Sequence, residues 1–511
     1  MWYIINVDKG KEAQNLSNFD LQKTNINLIP ESSRPTGSYV CTWWNQSAAA
    51  EALGLEGTGL SQWRDALNSD ALFGENNFYH PATKEERSGL IFLLDDGWDL
   101  PLGTPNDAQH RHLYGSVDPD PVKFAAFGST PAKRLLGISE KVKEMGYAGL
   151  GLWISPQEKN EGEYDERTAR EYWETRAKWC AEAGVSYWKV DWGTHDWDDD
   201  YRKMISECAR KYAPDLWVEH AVIQLPCTHN HRSFDFIKER QARVKKQMEF
   251  ADAYRTYDVI DPFDNVCTLQ RAHEALMQDP KKATGRAFIN GENLYSVCAS
   301  LGLCTGIMNY NNDARACVNW QRLSPPFSIK DGSYICSREI LTDTMFCESE
   351  LCEWAPCKGL TVKESAPAIM ARNCPLPTVH PCAGASPFIT ASKNPETGAY
   401  AVAAIRRTID PIPGAHLPAN VTIHDVNISS SLGVFGVFNS LTVEFSEKIP
   451  KNVQILAQDL TGTLSLDITK KADMNDQSIT LDGKLLRMIG KWERGTRDPS
   501  EPSLVITLRG T

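Results

Sequence analysis

Short apolar and aromatic runs alternate with longer amphipathic stretches between about residues 36 and 310. This alternation is typical of repeated βα units, in which each strand is followed by a helix that packs against the sheet. Most of the runs are continuously apolar and lack a strict apolar–polar alternation, which indicates strands that are buried on both faces. The runs read SYVCTWW, LIFLLDD, AGLGLWI, SYWKVDW, LWVEHAV, DAYRTYD and RAFING.

The pattern favours a closed barrel over an open doubly wound sheet, because no Gly-rich phosphate loop follows the first run. Amphipathic segments such as TAREYWETRAKWCAEAG, which ends at Gly184, supply the intervening helices. We therefore predict an α/β fold, a (β/α)8 TIM barrel over residues 36–380, after an N-terminal extension over residues 1–35.

The pattern of apolar residues changes after residue 385. Short apolar segments such as AYAVAAIRR, LTVEFS and SLVITL are separated by turn sequences such as LDGK and DLTG. A chain of 511 residues also exceeds the usual size of one hydrophobic core. We predict a C-terminal antiparallel β-sandwich domain over residues 385–511, with ARNCPLPTVHPCAGASP at the seam.

Charge argues against nucleic acid as a partner. The chain has 54 Lys and Arg against 66 Asp and Glu, a net charge of −12, which repels a phosphate backbone. No apolar run approaches the roughly 18 residues of a membrane span, and the start lacks the basic and apolar regions of a signal peptide. We expect no membrane partner. Oligomeric state, including a homo-oligomer, stays open.

The 14 cysteines are scattered, many of them within apolar or helical patterns. Such placement is typical of free buried thiols in a reducing compartment, so the sequence favours the cytoplasm over secretion. The closest group, Cys347, Cys352 and Cys357, has a spacing of five residues, which does not fit a zinc site. We predict no metal site.

Acidic side chains follow several of the predicted strands. Asp95 and Asp96 follow LIFLL, Asp191 follows SYWKV, and Asp258 follows DAYRTY. LWV is followed by Glu219 and His220. A single Asp after a strand is an ordinary helix N-cap, but the active sites of TIM barrels lie at the carboxyl ends of the strands. The group of acids therefore predicts a catalytic site at this end.

Lys189 and Asp191 are two residues apart on one strand, so both side chains project toward the barrel axis. A buried ion pair would explain them structurally, but such pairs contribute little stability, and a ligand-binding role fits equally well. The lysine also favours the ionised form that a nucleophilic carboxylate needs. Trp98 and Trp153 at strand ends fit either the apolar walls of a sugar site or the core.

Retaining glycoside hydrolysis uses two carboxyl groups roughly 5 Å apart, one as nucleophile and one as acid/base. Asp191 and Asp258 are 67 residues apart, which accommodates two βα units and places them on the fourth and sixth strands. This pair is our candidate for the catalytic carboxylates.

Ordered motifs along the chain resemble the α-galactosidases of glycoside hydrolase families 27 and 36, which form one clan. CTWWNQ resembles the opening of the family, LLDDGW its Asp-Asp motif, GLGLWISPQ its third strand and YWKVDWG its nucleophile strand. WVEHA and AYRTYDVI are similar to its fifth and sixth strands, and ILAQDLTG and LDGKLLRMIG to its β-sandwich. The resemblance covers most of the chain and implies a barrel followed by a sandwich.

The resemblance implies a retaining exo-hydrolase that removes terminal α-linked galactose from an oligosaccharide or glycoconjugate without a cofactor. Asp191 would be the nucleophile and Asp258 the acid/base. The other implied contacts are the 6- and 4-hydroxyls for Asp95 and Asp96, the 3- and 4-hydroxyls for Lys189, and the 2-hydroxyl or the nucleophile for Arg255.

Three departures from the family leave alternatives open. No Gly precedes Asp258, and Asp261 competes with it as the acid/base. Gly97 and Gly193 replace the cysteines of the family, which implies that its active-site disulfides are absent. Glu219 and His220 replace a Glu-Trp pair that reads carbon 2. A β-L-arabinopyranosidase, an α-N-acetylgalactosaminidase, a transglycosylase or a non-catalytic sugar-binding barrel therefore remains an alternative.

Overall fold

The computed structural model describes residues 21–55, 59–74, 79–159, 164–221, 234–256, 264–346, 361–382, 384–409, 412–495 and 497–510. Its first part is a barrel of eight parallel strands, which confirms the predicted fold class. In chain order the strands are β1 (Tyr39–Cys41), β2 (Ile91–Leu94), β3 (Gly149–Ile154), β4 (Val185–Val190), β5 (Trp217–Ala221), β6 (Ala253–Arg255), β7 (Phe288–Asn290) and β8 (Gly306–Ile307).

From β1 to β7 each barrel strand pairs with the next in sequence, and β1 also pairs with β8 through Tyr39 and Gly306. Backbone hydrogen bonds close the remaining side, between β7 and β8. The amide of Gly291 donates to the carbonyl of Cys304 at 3.1 Å, and the amide of Cys304 donates to the carbonyl of Ile289 at 2.9 Å. The carboxyl ends of all eight strands therefore meet at one mouth.

Most of the helices pack around the barrel, and the helix predicted to end at Gly184 does so. The helix after β3 starts at the N-cap Asp165, whose side chain accepts from the amide of Thr168, and ends at Gly184 in the left-handed region with φ +63°. The α-helices are Trp43–Ala52, Leu60–Asp65, Ser69–Phe73, Lys84–Arg87, Pro131–Glu144, Glu166–Ala183, Asp199–Tyr212, Phe234–Phe250, Asp264–Leu276, Tyr295–Leu301, Asn312–Gln321 and Gly483–Ile489.

Two sheets form the C-terminal part, and most of their strand pairs are antiparallel. In spatial order the nine-stranded sheet contains Gln22–Lys23, Leu466–Asp467, Val453–Asp459, Ser503–Gly510, Leu432–Gly436, Tyr400–Ile405, Phe388–Lys393, Ile369–Arg372 and Tyr334–Cys336. The five-stranded sheet contains Thr378–Pro381, Ala419–Val426, Ser440–Phe445, Ser478–Asp482 and Asp473–Met474. Two hairpins complete it: Ile340–Phe346 with Thr361–Pro367, and Arg407–Ile409 with Ile412–Ala415.

The sheets differ from the sequence prediction in detail. Their first strand in the C-terminal part starts at Tyr334, ahead of the expected boundary near residue 385. Gln22–Lys23 of the N-terminal extension pairs with Leu466–Asp467 in the same sheet. Three neighbouring pairs are parallel, for example Tyr400–Ile405 with Leu432–Gly436. Strand direction depends on long-range pairing, which a local pattern does not encode.

The central strands of the nine-stranded sheet are buried on both faces. One face packs on the last barrel helices, where Trp320 contacts Phe435 with ring centroids 6.1 Å apart and the Ser300 and Thr390 hydroxyls lie 2.6 Å apart. The other face shares a core with the five-stranded sheet. This double burial explains why Tyr400–Ile405 is apolar throughout, and it joins the sheet to the barrel through a common core.

Candidate active site

Charged side chains project into the barrel near its mouth. On β4 the inward positions are Tyr187, Lys189 and then Asp191, because side chains alternate along a strand. Neighbouring strands bring further charged groups to the same region, and every one of them is largely buried. We call this set the barrel-mouth cluster, and it consists of Asp95, Lys189, Asp191, Glu219, Arg255 and Glu292.

Arg255, at the end of β6, binds three carboxylates at once. Its Nη2 lies 3.3 Å from Asp191 Oδ2, its Nε 3.2 Å from Glu219 Oε1, and its Nη1 3.0 Å from Glu292 Oε1. Burial by itself lowers the pKa of this guanidinium, but the surrounding carboxylates outweigh it and raise the pKa well above its ordinary value. A permanent positive charge therefore stands at the centre of the cluster.

Glu219 on β5 is fully buried and lies one inward position deeper than Asp191. Its carboxylate accepts hydrogen bonds from the Tyr39 hydroxyl at 3.1 Å, the Tyr187 hydroxyl at 2.7 Å and Asn290 Nδ2 at 2.6 Å. These donors satisfy a charge that would otherwise be costly to bury. The structure thus places Glu219 beneath Asp191, where it anchors Arg255.

Asp191 is held by donors on three sides. Trp153 Nε1 donates to Asp191 Oδ2 at 2.9 Å, Arg255 Nη2 lies at 3.3 Å, and Lys189 Nζ lies at 4.0 Å from the same oxygen. The Asp191 carbonyl accepts from Arg202 Nη2 at 2.7 Å. Two cations and an indole N–H favour negative charge on this carboxylate and fix its orientation.

Lys189 joins Asp191 to Asp95 at the end of β2. Its Nζ lies 2.8 Å from Asp95 Oδ2, which also accepts from the Cys41 thiol at 2.9 Å. Burial by itself lowers the pKa of Lys189, but Asp95, Cys41 and Asp191 together outweigh it and the net pKa is raised. The ammonium therefore stays charged between the two aspartates.

Asp96 lies beside Asp95 but pairs with a different cation. Its Oδ2 is 2.7 Å from Arg64 Nη2 and 3.1 Å from Arg64 Nε. Burial raises the pKa of Asp96 to about 6, although Arg64 opposes the shift. Within the described residues, its buried Oδ1 has no hydrogen-bond partner. Such an unsatisfied acceptor is a candidate contact for a ligand hydroxyl.

Two residues predicted to contact sugar lie outside the barrel interior. His220 on β5 faces the helix layer, with Nε2 2.8 Å from the Ser206 hydroxyl and its ring edge-on to Phe250. Trp98 is fully buried in the same outer layer and donates to the Trp153 carbonyl at 3.0 Å. For His220 the reason is the two-residue period of a strand, which directs it and Glu219 to opposite faces.

Glu292 was missed by the sequence analysis. It lies two residues past the end of β7, with a backbone φ of +51° that is uncommon outside glycine. The Asn290 side chain accepts from its amide at 2.8 Å, and its carbonyl accepts from the Thr305 hydroxyl at 2.6 Å. RAFING followed by an acid carries the same signal as the other strand ends, so Glu292 was accessible to the same reasoning.

The predicted acid/base Asp258 and its competitor Asp261 both lie outside the described residues. Among the residues that are described, no group of His, Cys, Asp and Glu could hold a metal ion. Ten described cysteines form no disulfide with one another. No helix in the described ranges is both long and apolar enough to cross a membrane.

No family model and no curated protein matches this chain. Several solved structures align with it at low similarity. A Bacteroides fragilis protein with a provisional α-galactosidase assignment shares 12% identity over 94% of this chain and 80% of that chain, with a TM-score of 0.36. A variant of a family 27 β-L-arabinopyranosidase from Geobacillus stearothermophilus shares 9% over 94% and 97%, with a TM-score of 0.35. An α-amylase from Geobacillus thermoleovorans shares 9% over 87% and 96%, with a TM-score of 0.37.

Replacing Arg255 with Met should destabilise the protein strongly, because three carboxylates would then lose their common cation in a buried site. Removing one partner of a buried ion pair costs about 3–5 kcal/mol of unfolding free energy. Denaturant unfolding measures the change. Arg34→Met removes an exposed arginine and should leave the midpoint nearly unchanged. Equal stability of Arg255→Met and the unmodified protein would contradict the assigned role.

Asp96→Asn should gain stability relative to the unmodified protein as the pH rises from 4 to 7. The folded-state pKa of Asp96 is raised from 3.8 to about 6, so its stabilising contribution is complete below pH 3.8 and is lost as the pH rises through 6. The asparagine does not titrate, and the difference should shift by ~2 kcal/mol in favour of the variant. Denaturant unfolding at both pH values checks this, and a difference that does not change with pH would refute it.

Proposed function

We propose that this protein is a retaining exo-glycoside hydrolase in which Asp191 attacks the anomeric carbon of a terminal sugar. The observation that carries the proposal is the setting of Asp191, a carboxylate at the end of a barrel strand with an indole N–H and two cations around it. This position is where barrel enzymes place their catalytic groups. The surrounding donors favour the ionised form that a nucleophile needs.

In the proposed first step, a carboxylate oxygen of Asp191 forms a bond to the anomeric carbon as the bond to the leaving oxygen breaks. A second carboxyl group must give that oxygen a proton. We assign this role to Asp258, three residues beyond Arg255 on the chain. In the second step Asp258 takes a proton from water, the water oxygen bonds to the anomeric carbon, and the bond from that carbon to Asp191 breaks. The sugar leaves with its anomeric configuration retained.

The cations around Asp191 have a consistent role in this cycle. Glycosylation neutralises the carboxylate, and the negative charge is restored when water releases the sugar. Arg255 and Lys189 remain balanced through both states because each also binds another carboxylate, Glu292 or Asp95. Fixed charges of this kind stabilise the transition state without reorganisation during the reaction.

For the substrate we propose terminal α-linked galactose, with Asp95, Asp96 and Lys189 as the groups that bind its hydroxyls. The support for these contacts comes from the side chains themselves. Lys189 can donate to hydroxyl oxygens, while Asp96 Oδ1 accepts no hydrogen bond from the described residues. Sugars that differ from galactose at carbon 6 or carbon 2 are the alternatives, because contacts at those positions decide among them.

A panel of nitrophenyl glycosides tests the activity and the sugar together. We expect hydrolysis of the α-galactoside with retention at the anomeric carbon, which proton NMR of the first product reports. Asp191→Asn should lower kcat by several orders of magnitude and still bind the sugar, because the side chain keeps its shape and loses its charge.

The exposed Asp215, at the opposite end of the barrel, supplies a matched control. Asp215→Asn should retain full activity. Turnover by Asp191→Asn at the level of the unmodified protein would refute the nucleophile. Absence of hydrolysis across the whole panel would favour a sugar-binding barrel without catalysis.

A further inference from the structure

The loop after β4 is anchored to the backbone of the candidate nucleophile. The buried guanidinium of Arg202 donates to the carbonyl of Asp191 at 2.7 Å and to the carbonyl of Asp196 at 2.9 Å. Arg243 Nη2 donates to the same Asp196 carbonyl at 3.0 Å. Two arginines therefore hold this loop at the carboxyl end of β4, the end of a barrel at which active sites lie.

This loop presents an exposed aromatic ring. Trp197 is 49% exposed, and the Arg243 guanidinium lies over its ring at 4.6 Å, which holds the indole in place. Beside it, His195 stacks on Tyr201 with ring centroids 4.2 Å apart. Tyr164, which is 47% exposed, lies 4.9 Å from His195. We call Tyr164, His195 and Trp197 the rim platform.

His195 and Trp197 of the rim platform line an open cleft of ≈ 510 Å³. Three carboxylates and one ammonium line it, and the ammonium, on Lys246, is paired with Asp200 at 2.8 Å. This balance disfavours an anionic ligand and supplies acceptors for hydroxyl groups. A flat indole beside carboxylates suits the C–H face and the hydroxyls of a sugar. The lining residues are Thr194, His195, Asp196, Trp197, Asp198, Asp199 and Lys246.

We infer that this cleft is the subsite for the leaving group and that it binds a neutral pyranose. The substrate would then be an oligosaccharide, as opposed to a glycoside of a lipid, an aryl group or a phosphate. This inference rests on the proposed function, because it takes Asp191 as the point where the glycosidic bond breaks. The main contact of the bound pyranose is stacking on the Trp197 indole.

Kinetics with two leaving groups test the proposed subsite in the full-length protein. α-Galactosyl fluoride releases an ion that fills no subsite, whereas melibiose releases glucose. Trp197→Ala should lower kcat/KM for melibiose about tenfold, mainly through KM, and change the value for the fluoride less than twofold. Trp197→Phe keeps an aromatic ring and should retain most of the melibiose activity. Phe346→Ala removes an exposed ring outside the barrel and should affect neither substrate.

The outcomes separate this inference from the proposed function. If Trp197→Ala lowers both activities equally, or neither, the subsite is wrong while the hydrolase assignment stands. Where the nitrophenyl panel selects a sugar other than galactose, the glycosyl fluoride and the glucose disaccharide of that sugar are used. If the unmodified protein hydrolyses none of these compounds, the proposed function fails and the subsite fails with it. A loss confined to the disaccharide supports both.

Discussion

The arrangement of the barrel mouth depends on the contacts of one buried cation. Arg255 binds carboxylates contributed by β4, by β5 and by the segment after β7, so a single guanidinium ties together three parts of the barrel wall. Its planar fork can satisfy several acceptors in fixed directions, which a lysine cannot do. These contacts connect Asp191, Glu219 and Glu292 through one side chain.

Carboxylates outnumber cations in the barrel-mouth cluster, four against two. Neutral donors reduce the cost of this excess: the hydroxyls of Tyr39 and Tyr187, the Asn290 amide and the Trp153 indole all donate to the acids. A cluster built in this way contributes little net stability and much fixed orientation. That is the property expected of a site that has to keep charges in place during a reaction.

The sequence was informative where one local pattern decides the outcome. Continuous apolar runs identified the barrel, and the two-residue spacing of Lys189 and Asp191 placed both in its interior. The same two-residue period places His220 outside the barrel interior once Glu219 points inward. The motif resemblance led us to treat both residues as site residues. The place of Trp98 could be decided only from the tertiary packing around it, since a tryptophan at a strand end suits the wall of a sugar site and the hydrophobic core equally. The Arg255 contacts join residues from three distant segments, and no local pattern encodes them.

The most direct test of this account is to identify the carboxylate that becomes glycosylated. A galactose-configured fluorosugar inactivator traps the covalent intermediate of a retaining enzyme, and mass spectrometry of peptic fragments locates the label. We predict that the label lies on the peptide that contains Asp191 and that Asp191→Asn remains unlabelled. A label on Glu292 or on Asp258 would contradict the assignment of Asp191 as the nucleophile.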